Sequence, residues 1–198
     1  MIKFNNPSQE IPYINFHARY TEALEQGQKN IESIAISSFN KEKMETDSRF
    51  VNLKFIDGNQ FIFFSNYNSP KSIAFKTHNQ ISALLYWSST NVQIRMKAKI
   101  NKTSVKYSQE YFKERPVDKN ALAISSDQSK PASSYEEVIL KYKKTKETKD
   151  LLKCPEYWGG FSFTPYYFEF WEGHESRLNK RESFSKIDDV WLHSFLQP

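Results

Sequence analysis

The side chains of this sequence that are able to do chemistry suit anion binding better than metal binding or nucleophilic catalysis. The four histidines, His17, His78, His174 and His193, show no HxxxH or HxH spacing, and Cys154 is the only cysteine, so we expect no metal site. The phosphate-binding motifs GxGxxG and GxxxxGK[ST] and the nucleophile motif GxSxG are absent. Any anion site must therefore use arginine and lysine side chains or helix N-termini.

The overall charge is compatible with several anionic partners. The 198 residues include 28 Lys and Arg and 23 Asp and Glu, a formal net charge of +5, which suits a nucleic acid, an acidic membrane surface or a small phosphorylated ligand. Much of the excess lies in residues 141–149 (KYKKTKETK), a run typical of a solvated helix face.

The sequence favours a cytoplasmic protein that binds neither nucleic acid nor membrane. It contains no apolar stretch long enough to span a bilayer, and its N-terminus lacks the apolar core of a secretion signal. A single cysteine fits a reducing compartment. No RNA- or DNA-binding motif accompanies the modest positive charge.

The elements that must position the cationic side chains are mainly strands. An aromatic content of 16% favours pleated, half-buried surfaces. Residues 92–100 alternate without interruption between apolar and polar, as in an antiparallel strand with one buried face. The Asp57-Gly58 step predicts a hairpin that joins residues 49–56 to residues 60–65. Further strands are predicted at 33–39, 81–87, 160–164, 167–171 and 190–195.

Helices are predicted around these strands. Ser69-Pro70 is typical of a helix start, and Ser134 with Glu137 forms a capping box. Two more helices are predicted at 16–28 and 108–114, with an arm at 1–15 and a loop at 116–133. We therefore expect a mainly β (α+β) fold in which residues 1–30 form an N-terminal arm and first helix and residues 31–198 form a single domain, a barrel of antiparallel strands with peripheral helices.

A series of short motifs follows in order from Arg49 to Arg181. The motifs are RFVNLK (49–54), FSN (64–66), SPK (69–71), YW (86–87), VQI (92–94), YFKERP (111–116), DQS (127–129), YWGGF (157–161), FEFWEG (168–173) and RLNKR (177–181). No single motif is decisive, because each occurs by chance in unrelated proteins. Their joint order resembles the pyridoxine/pyridoxamine 5′-phosphate oxidase family over nearly all of the chain beyond the first helix.

The resemblance implies a fold, a cofactor and a reaction. The fold is an antiparallel Greek-key split β-barrel with peripheral helices, which works as a homodimer with flavin mononucleotide (FMN) at the subunit interface. The reaction is the oxidation of pyridoxamine or pyridoxine 5′-phosphate, a small phosphorylated pyridine, to pyridoxal 5′-phosphate, with O2 as electron acceptor and H2O2 released.

The resemblance also assigns site residues, one by one, to positions of this sequence. FMN contacts are assigned to Arg49, Phe50, Val51, Asn52, Leu53, Lys54, Phe64, Ser65, Lys71, Gln93, Gln128, Ser129, Trp171 and Arg181. Substrate contacts are assigned to Lys54, Tyr111, Arg115, Lys119, Arg177 and Asn179, with Arg177 as the catalytic residue that faces the reacting carbon.

The residue types suit these roles, although each has a plainer interpretation. Guanidinium groups such as those of Arg49 and Arg181 hold phosphate in a bidentate manner, and Lys71 supplies a point charge. Taken singly, Arg49 and Gln93 equally fit outward positions on strands, and Trp171 fits a core position. The shared spacing with the family is what favours the flavin roles.

The sequence departs from the family pattern at four places. Asn179 stands where the family has a histidine, and an asparagine cannot carry a proton charge. Lys119 replaces a phosphate-binding serine, Pro70 replaces an arginine, and residues 122–126 (LAISS) replace an I-G-A-W-x-S stretch. The residues assigned to the substrate thus differ from the family pattern more than those assigned to FMN do. Two alternatives follow: an FMN-dependent oxidoreductase of the same family acting on another ring substrate, as relatives in phenazine biosynthesis do, or a non-catalytic flavin- or pyridoxal-phosphate-binding protein.

Overall fold

Ten strands joined in one sheet form the framework of the protein, whose computed structural model describes residues 1–198. The strands follow the order β1-β4-β5-β8-β7-β6-β2-β3, with β9 paired to β8 and β10 to β9. All pairings are antiparallel except that of β1 with β4. The strands are β1 (Lys3–Asn5), β2 (Ser33–Asn40), β3 (Glu45–Asn52), β4 (Phe55–Asp57), β5 (Gln60–Asn66), β6 (Gln80–Trp87), β7 (Val92–Lys102), β8 (Trp158–Glu172), β9 (Lys180–Ile187) and β10 (Val190–Phe195).

Five helices lie around this sheet, and the predicted mainly β fold is confirmed. None of the five has both the length and the apolar character that crossing a bilayer would need. The helices are α1 (Ile11–Glu25), α2 (Pro70–Thr77), α3 (Val105–Glu114), α4 (Val117–Ser125) and α5 (Tyr135–Thr148).

The N-terminal residues belong to the main core, which corrects the expected arm at residues 1–15. The strand β1 pairs with β4, and Ile2 is buried. Helix α1 begins at Ile11 rather than Phe16, with Pro12 in its first turn, where a missing N–H costs nothing. Phe16 and Tyr20 of α1 lie in the same buried cluster as the inner side chains of the sheet.

The long strand β8 organises the two regions that carry the candidate site residues. It pairs with β7 along one edge, while β5 and β9 share the other edge, β5 along Trp158–Phe163 and β9 along Tyr167–Glu172. The sequence predicts two strands here, at 160–164 and 167–171, but they form one strand with a bulge near Pro165. The register with β7 shifts at this bulge, where the proline has no N–H to donate to the sheet. The strand β9 was not predicted.

Two local departures from the predicted elements shape the region beside β3 and β5. The strand β3 ends at Asn52, so the predicted continuous strand at 49–56 is wrong, whereas the hairpin at Gly58 (φ +56°) is confirmed. The predicted loop at 116–133 contains α4, which is held because Asn120 Nδ2 donates to the carbonyl oxygens of Phe112 (2.8 Å) and Leu151 (2.9 Å).

Candidate functional site

A cavity of about 560 Å³ opens between β3, β5, the start of α2 and the α3–α4 region, and we call it the main pocket. Its volume lies within the range of roughly 300–1,000 Å³ that is usual for cofactor sites. Thirteen of its lining residues are among those predicted from the sequence: Arg49, Phe50, Val51, Asn52, Lys54, Phe64, Ser65, Lys71, Tyr111, Arg115, Lys119, Gln128 and Ser129.

The main pocket is strongly electropositive. It contains five cationic side chains and one carboxylate, that of Asp47. Arg49 forms an ion pair with Asp47, and the other four cations have no acidic partner. An excess of unpaired cations in one cavity favours an anionic ligand. The five cations are Arg49, Lys54, Lys71, Arg115 and Lys119.

The first cation cluster consists of Arg49 on β3 and Lys71 on α2. One nitrogen of Arg49, Nη1, donates to Ser38 Oγ (2.8 Å) and to the Ile36 carbonyl (3.1 Å), which fixes the guanidinium plane. Lys71 is only 6% exposed, and its Nζ donates to Ser69 Oγ at 3.1 Å. Burial, together with the charge of Arg49, lowers the pKa of Lys71 to about 8. A buried ammonium without a carboxylate partner is costly, and a bound phosphate would compensate it.

The second cation cluster consists of Lys54, Arg115 and Lys119. The Arg115 guanidinium lies 4.3 Å from the centre of the Trp158 ring, and its Nη1 donates to Asn120 Oδ1 at 3.1 Å. Burial lowers the pKa of Lys54, the charge of Glu32 opposes this shift in part, and the charges of Lys119 and Arg115 add to it. Lys71 is perturbed by Arg49 and Asp47 instead. We therefore treat the five cations as two clusters, each defined by the charges that act on its lysine.

Aromatic and amide side chains complete the wall of the main pocket. Tyr111 stacks on Phe64 with ring centres 3.9 Å apart. Burial raises the pKa of Tyr111, so its hydroxyl remains a hydrogen-bond donor at neutral pH. Ser65 Oγ donates to Gln128 Oε1 at 3.3 Å, which connects β5 to the segment between α4 and α5.

A second group of predicted residues lies outside the main pocket, on the outer face of the sheet. Gln93, Trp171 and Arg181 stand opposite one another across β7, β8 and β9, and we call them the β7–β9 row. Arg181 is not a free cation within this copy of the chain, because its Nε and Nη2 donate to Glu169 Oε1 at 3.0 and 2.9 Å.

The predicted substrate residues Arg177 and Asn179 also lie outside the main pocket, in the β8–β9 turn. Arg177 is exposed and adopts φ +60°. Asn179 Oδ1 accepts from the backbone N–H of His174 at 3.1 Å, so this side chain shapes the turn. Within one copy of the chain, therefore, the main pocket is not joined by the β7–β9 row or by this turn.

The prediction for Leu53 concerns its backbone rather than its side chain, and four other residues of the main pocket were missed. The Leu53 side chain is fully buried in the core, and its N–H donates to the Glu32 carbonyl (2.9 Å), so it presents no side chain to the main pocket. Asp47, Pro70, Pro116 and Trp158 line the main pocket without having been assigned to it. Asp47 could have been predicted from the sequence, because it lies two residues before Arg49 and residues two apart on a strand share a face.

The sequence is similar to those of enzymes that oxidise vitamin B6 phosphates. It is 32% identical over 194 residues to "pyridoxine/pyridoxamine 5′-phosphate oxidase 1" of Hydrogenovibrio crunogenus, covering 96% of this chain and 89% of that protein. It is 35% identical over 188 residues to the pyridoxine/pyridoxamine 5′-phosphate oxidase of Cytophaga hutchinsonii, covering 93% and 86%. The chain belongs to this family. Residues 158–198 also match the family model described as the pyridoxine 5′-phosphate oxidase C-terminal dimerisation region.

Solved structures show that the family fold extends over nearly all of the chain. PhzG from Burkholderia lata, solved in complex with tetrahydrophenazine-1-carboxylic acid, superposes with a TM-score of 0.89 at 21% identity, covering 94% of this chain and 92% of that one. A pyridoxamine 5′-phosphate oxidase-related, FMN-binding protein from Nostoc punctiforme gives a TM-score of 0.77 at 13% identity, covering 96% and 99%. The split-barrel fold expected from the sequence is thus confirmed.

Proposed function

We propose that this protein is an FMN-dependent oxidase that converts pyridoxamine or pyridoxine 5′-phosphate to pyridoxal 5′-phosphate. The observation that carries the proposal is the pair of separate cation clusters in one cavity of about 560 Å³. The cofactor and the substrate each carry one phosphate, so two anions must be bound side by side. Membership of a family whose relatives are named as oxidases of these vitamers supports the same conclusion.

The residues of the main pocket fit FMN. The first cluster, Arg49 and Lys71, suits the FMN phosphate, because Lys71 is buried without an acidic partner. Ser65, Gln128 and Ser129 offer hydroxyl and amide groups to the polar ribityl chain and the ring edge. The chemistry supplied by bound FMN is a two-electron oxidation, in which a hydride is accepted from the substrate carbon and the electrons pass to O2 to give H2O2.

The second cluster suits the substrate phosphate. Lys54, Arg115 and Lys119 bring three positive charges to the wall of the cavity, and Tyr111 adds a hydroxyl donor. Holding the phosphate there fixes the distance at which the pyridine ring approaches the flavin. The proton of the oxidised amine or hydroxyl group is released to water. The alcohol then gives the aldehyde directly, whereas the amine gives an imine that water hydrolyses to the aldehyde with release of ammonia. The main pocket contains no histidine or glutamate, and its one carboxylate, Asp47, is paired with Arg49.

The complete site is proposed to form between two copies of the chain. The β7–β9 row and the β8–β9 turn hold the remaining predicted residues, and they lie within or beside the region 158–198 that matches a dimerisation model. In a symmetric homodimer, this surface of one copy reaches the main pocket of the other. Gln93, Trp171 and Arg181 then contact FMN, and Arg177 and Asn179 face the reacting carbon of the substrate.

A different ring substrate is the second candidate, and it has its own support. Asn179 replaces a histidine of the family pattern and is used to shape the β8–β9 turn, and the fold of PhzG, solved with a ring carboxylic acid, is closely similar. The three cations of the second cluster favour a phosphate dianion over a carboxylate, however.

The proposed function is tested by a direct assay. Purified protein saturated with FMN is incubated aerobically with pyridoxine or pyridoxamine 5′-phosphate, and aldehyde and peroxide are measured. Both products are expected in equal amounts. Absence of both would overturn the proposal, and reduction of the flavin under nitrogen by a ring carboxylic acid alone would establish the second candidate instead.

Replacing Arg115 by glutamine is expected to raise the KM for pyridoxine 5′-phosphate by about 10- to 100-fold, because one charged hydrogen-bond donor to phosphate is worth roughly 1.5–3 kcal/mol. The Kd of FMN is expected to change less than about threefold, since Arg115 belongs to the second cluster. Lys113→Gln, a change at an exposed residue in the last turn of α3, just before Arg115, is the control. An unchanged KM in the Arg115→Gln variant would contradict the assignment of the substrate phosphate.

The affinity for FMN is expected to fall as the pH rises through about 8, where Lys71 loses its proton in the ligand-free protein. Below this pH the ammonium is charged and attracts the phosphate, and above it the attraction is lost. The Kd is measured by quenching of flavin fluorescence between pH 6.5 and 9.5. Lys71→Met is expected to remove the step, and the same step in both proteins would refute the role of Lys71.

A further inference from the structure

A buried carboxylate lies on the outer face of the sheet, directly beneath two arginines. Glu169 stands between Phe168 and Phe170 on β8, whose side chains are in the core, so strand alternation places Glu169 on the opposite face. Its side chain is nevertheless only 2% exposed, whereas those of Arg95 and Arg181 are 47% and 26% exposed. The carboxylate is covered by the groups that it binds.

Glu169 is fully engaged by hydrogen-bond donors. Oε1 accepts from Nε and Nη2 of Arg181 at 3.0 and 2.9 Å, and Oε2 lies 2.7 Å from Nη2 of Arg95 and accepts from the Tyr167 hydroxyl at 3.0 Å. Burial and the adjacent carboxylate raise the pKa of Tyr167, so this hydroxyl remains a donor. Sheet stability alone does not require such a group, because a buried ion pair is often no more stabilising than apolar residues of similar volume.

The contacts with Glu169 orient the Arg181 guanidinium but leave some of its N–H donors without a partner. Three of its nitrogens donate within this chain, two to Glu169 and Nη1 to the Gln197 carbonyl at 2.8 Å. A guanidinium has five N–H donors, so two remain for a ligand. Two arginines and one carboxylate also leave a net charge of +1 beside Trp171, which pairs directly with Arg181 across β8 and β9.

We propose that Glu169 is a positioning residue that holds the Arg181 guanidinium in the plane in which its two remaining donors reach FMN bound in the second copy. This inference rests on the proposed function. Without the carboxylate, the long arginine side chain would sample many rotamers, and ordering it on binding would reduce the affinity. Arg95 saturates the other carboxylate oxygen and does not itself bind the flavin.

The test is a double-mutant cycle read out as FMN affinity. Glu169→Gln and Arg181→Gln are each expected to raise the Kd of FMN by about 10-fold or more, and the double variant by no more than the larger single effect, because both changes remove the same contact. Arg95→Gln is expected to change the Kd by less than about threefold. Full additivity of the two effects, or a wild-type Kd in Glu169→Gln, would overturn the proposal.

A second variant keeps the test decisive if Glu169→Gln does not fold. Arg181→Lys retains the charge but cannot form the two-nitrogen contact with Glu169, and it is expected to weaken FMN binding about as much as Arg181→Gln does. Wild-type affinity in Arg181→Lys would show that the fixed plane is unnecessary. Failure of the unchanged protein to bind FMN would overturn the proposed function instead, so the two failures are distinguishable.

Discussion

Replacing Lys71 by methionine is expected to weaken FMN binding by about 10- to 100-fold while making the ligand-free protein more stable. The first effect follows because the variant loses a charged donor to phosphate, worth roughly 1.5–3 kcal/mol. The second follows because the Lys71 ammonium is buried, has no carboxylate partner and lies near Arg49. Asp47 attracts this charge less than Arg49 repels it, so removing it is expected to raise the free energy of unfolding by on the order of 1–3 kcal/mol at neutral pH.

The stability effect of Lys71→Met has a defined pH dependence. Folding lowers the pKa of Lys71 from 10.5 to about 8, so the folded state penalises the charged amine fully below pH 8. The penalty disappears as the pH rises from about 8 to 10.5, because the unfolded chain then loses its proton as well. The stability difference between the variant and the unchanged protein should therefore be largest below pH 8.

Both effects of Lys71→Met are measured by denaturant unfolding without FMN and by flavin fluorescence with it. Lys76→Met is the matched control, since Lys76 is an exposed lysine on the same helix, and it is expected to leave the Kd of FMN unchanged. A Lys71→Met variant that is less stable and binds FMN normally would show that the buried amine serves the fold rather than the ligand.

Mixing two defective variants is expected to restore FMN sites if each site is built from two copies of the chain. Lys71→Met damages the main pocket, and Arg181→Gln damages the β7–β9 row. In a mixed dimer, one site has both residues intact and the other lacks both. Random assortment of equal amounts gives half mixed dimers, so about one quarter of the normal number of sites should reappear.

The matched control for this experiment combines two variants of the same surface. Lys71→Met and Arg49→Gln both damage the main pocket, so every site in their mixed dimer lacks one cation and no recovery is expected. The variants are co-expressed. Tight FMN sites are then counted at an FMN concentration at which neither variant alone binds detectable flavin. No recovery from Lys71→Met with Arg181→Gln would contradict a site shared between copies.

Most of the lining of the main pocket was predicted because its residues lie in short motifs that follow the same order as those of the family. The RFVNLK motif brings Arg49 of β3 and Lys54, between β3 and β4, to the pocket. The Ser69-Pro70 helix start brings Lys71, and YFKERP brings Tyr111 and Arg115. Local signals predict elements such as the helix that starts at Ser69-Pro70, whereas the assignment of these side chains to one site came from the resemblance to the family. The alternating pattern of β7 likewise predicts its buried face correctly.

What sequence reasoning missed depends on long-range register. The engagement of Arg181 by Glu169 requires β9 to pair with β8 in one particular register, and no local signal predicted β9. Helix α4 was missed because Pro116 and the polar residues around it suggest a loop, whereas Asn120 holds the helix through contacts with Phe112 and Leu151. Tertiary contacts outweigh local propensity at both places.

Titration of the FMN-free protein with FMN tests the central claim most directly. The two cation clusters and the β7–β9 row predict saturable binding of one FMN for each copy of the chain, in a dimer, with much weaker binding of riboflavin because it lacks the phosphate that Arg49 and Lys71 are positioned to hold. A protein that remains colourless and leaves flavin fluorescence unchanged in excess FMN would contradict the account.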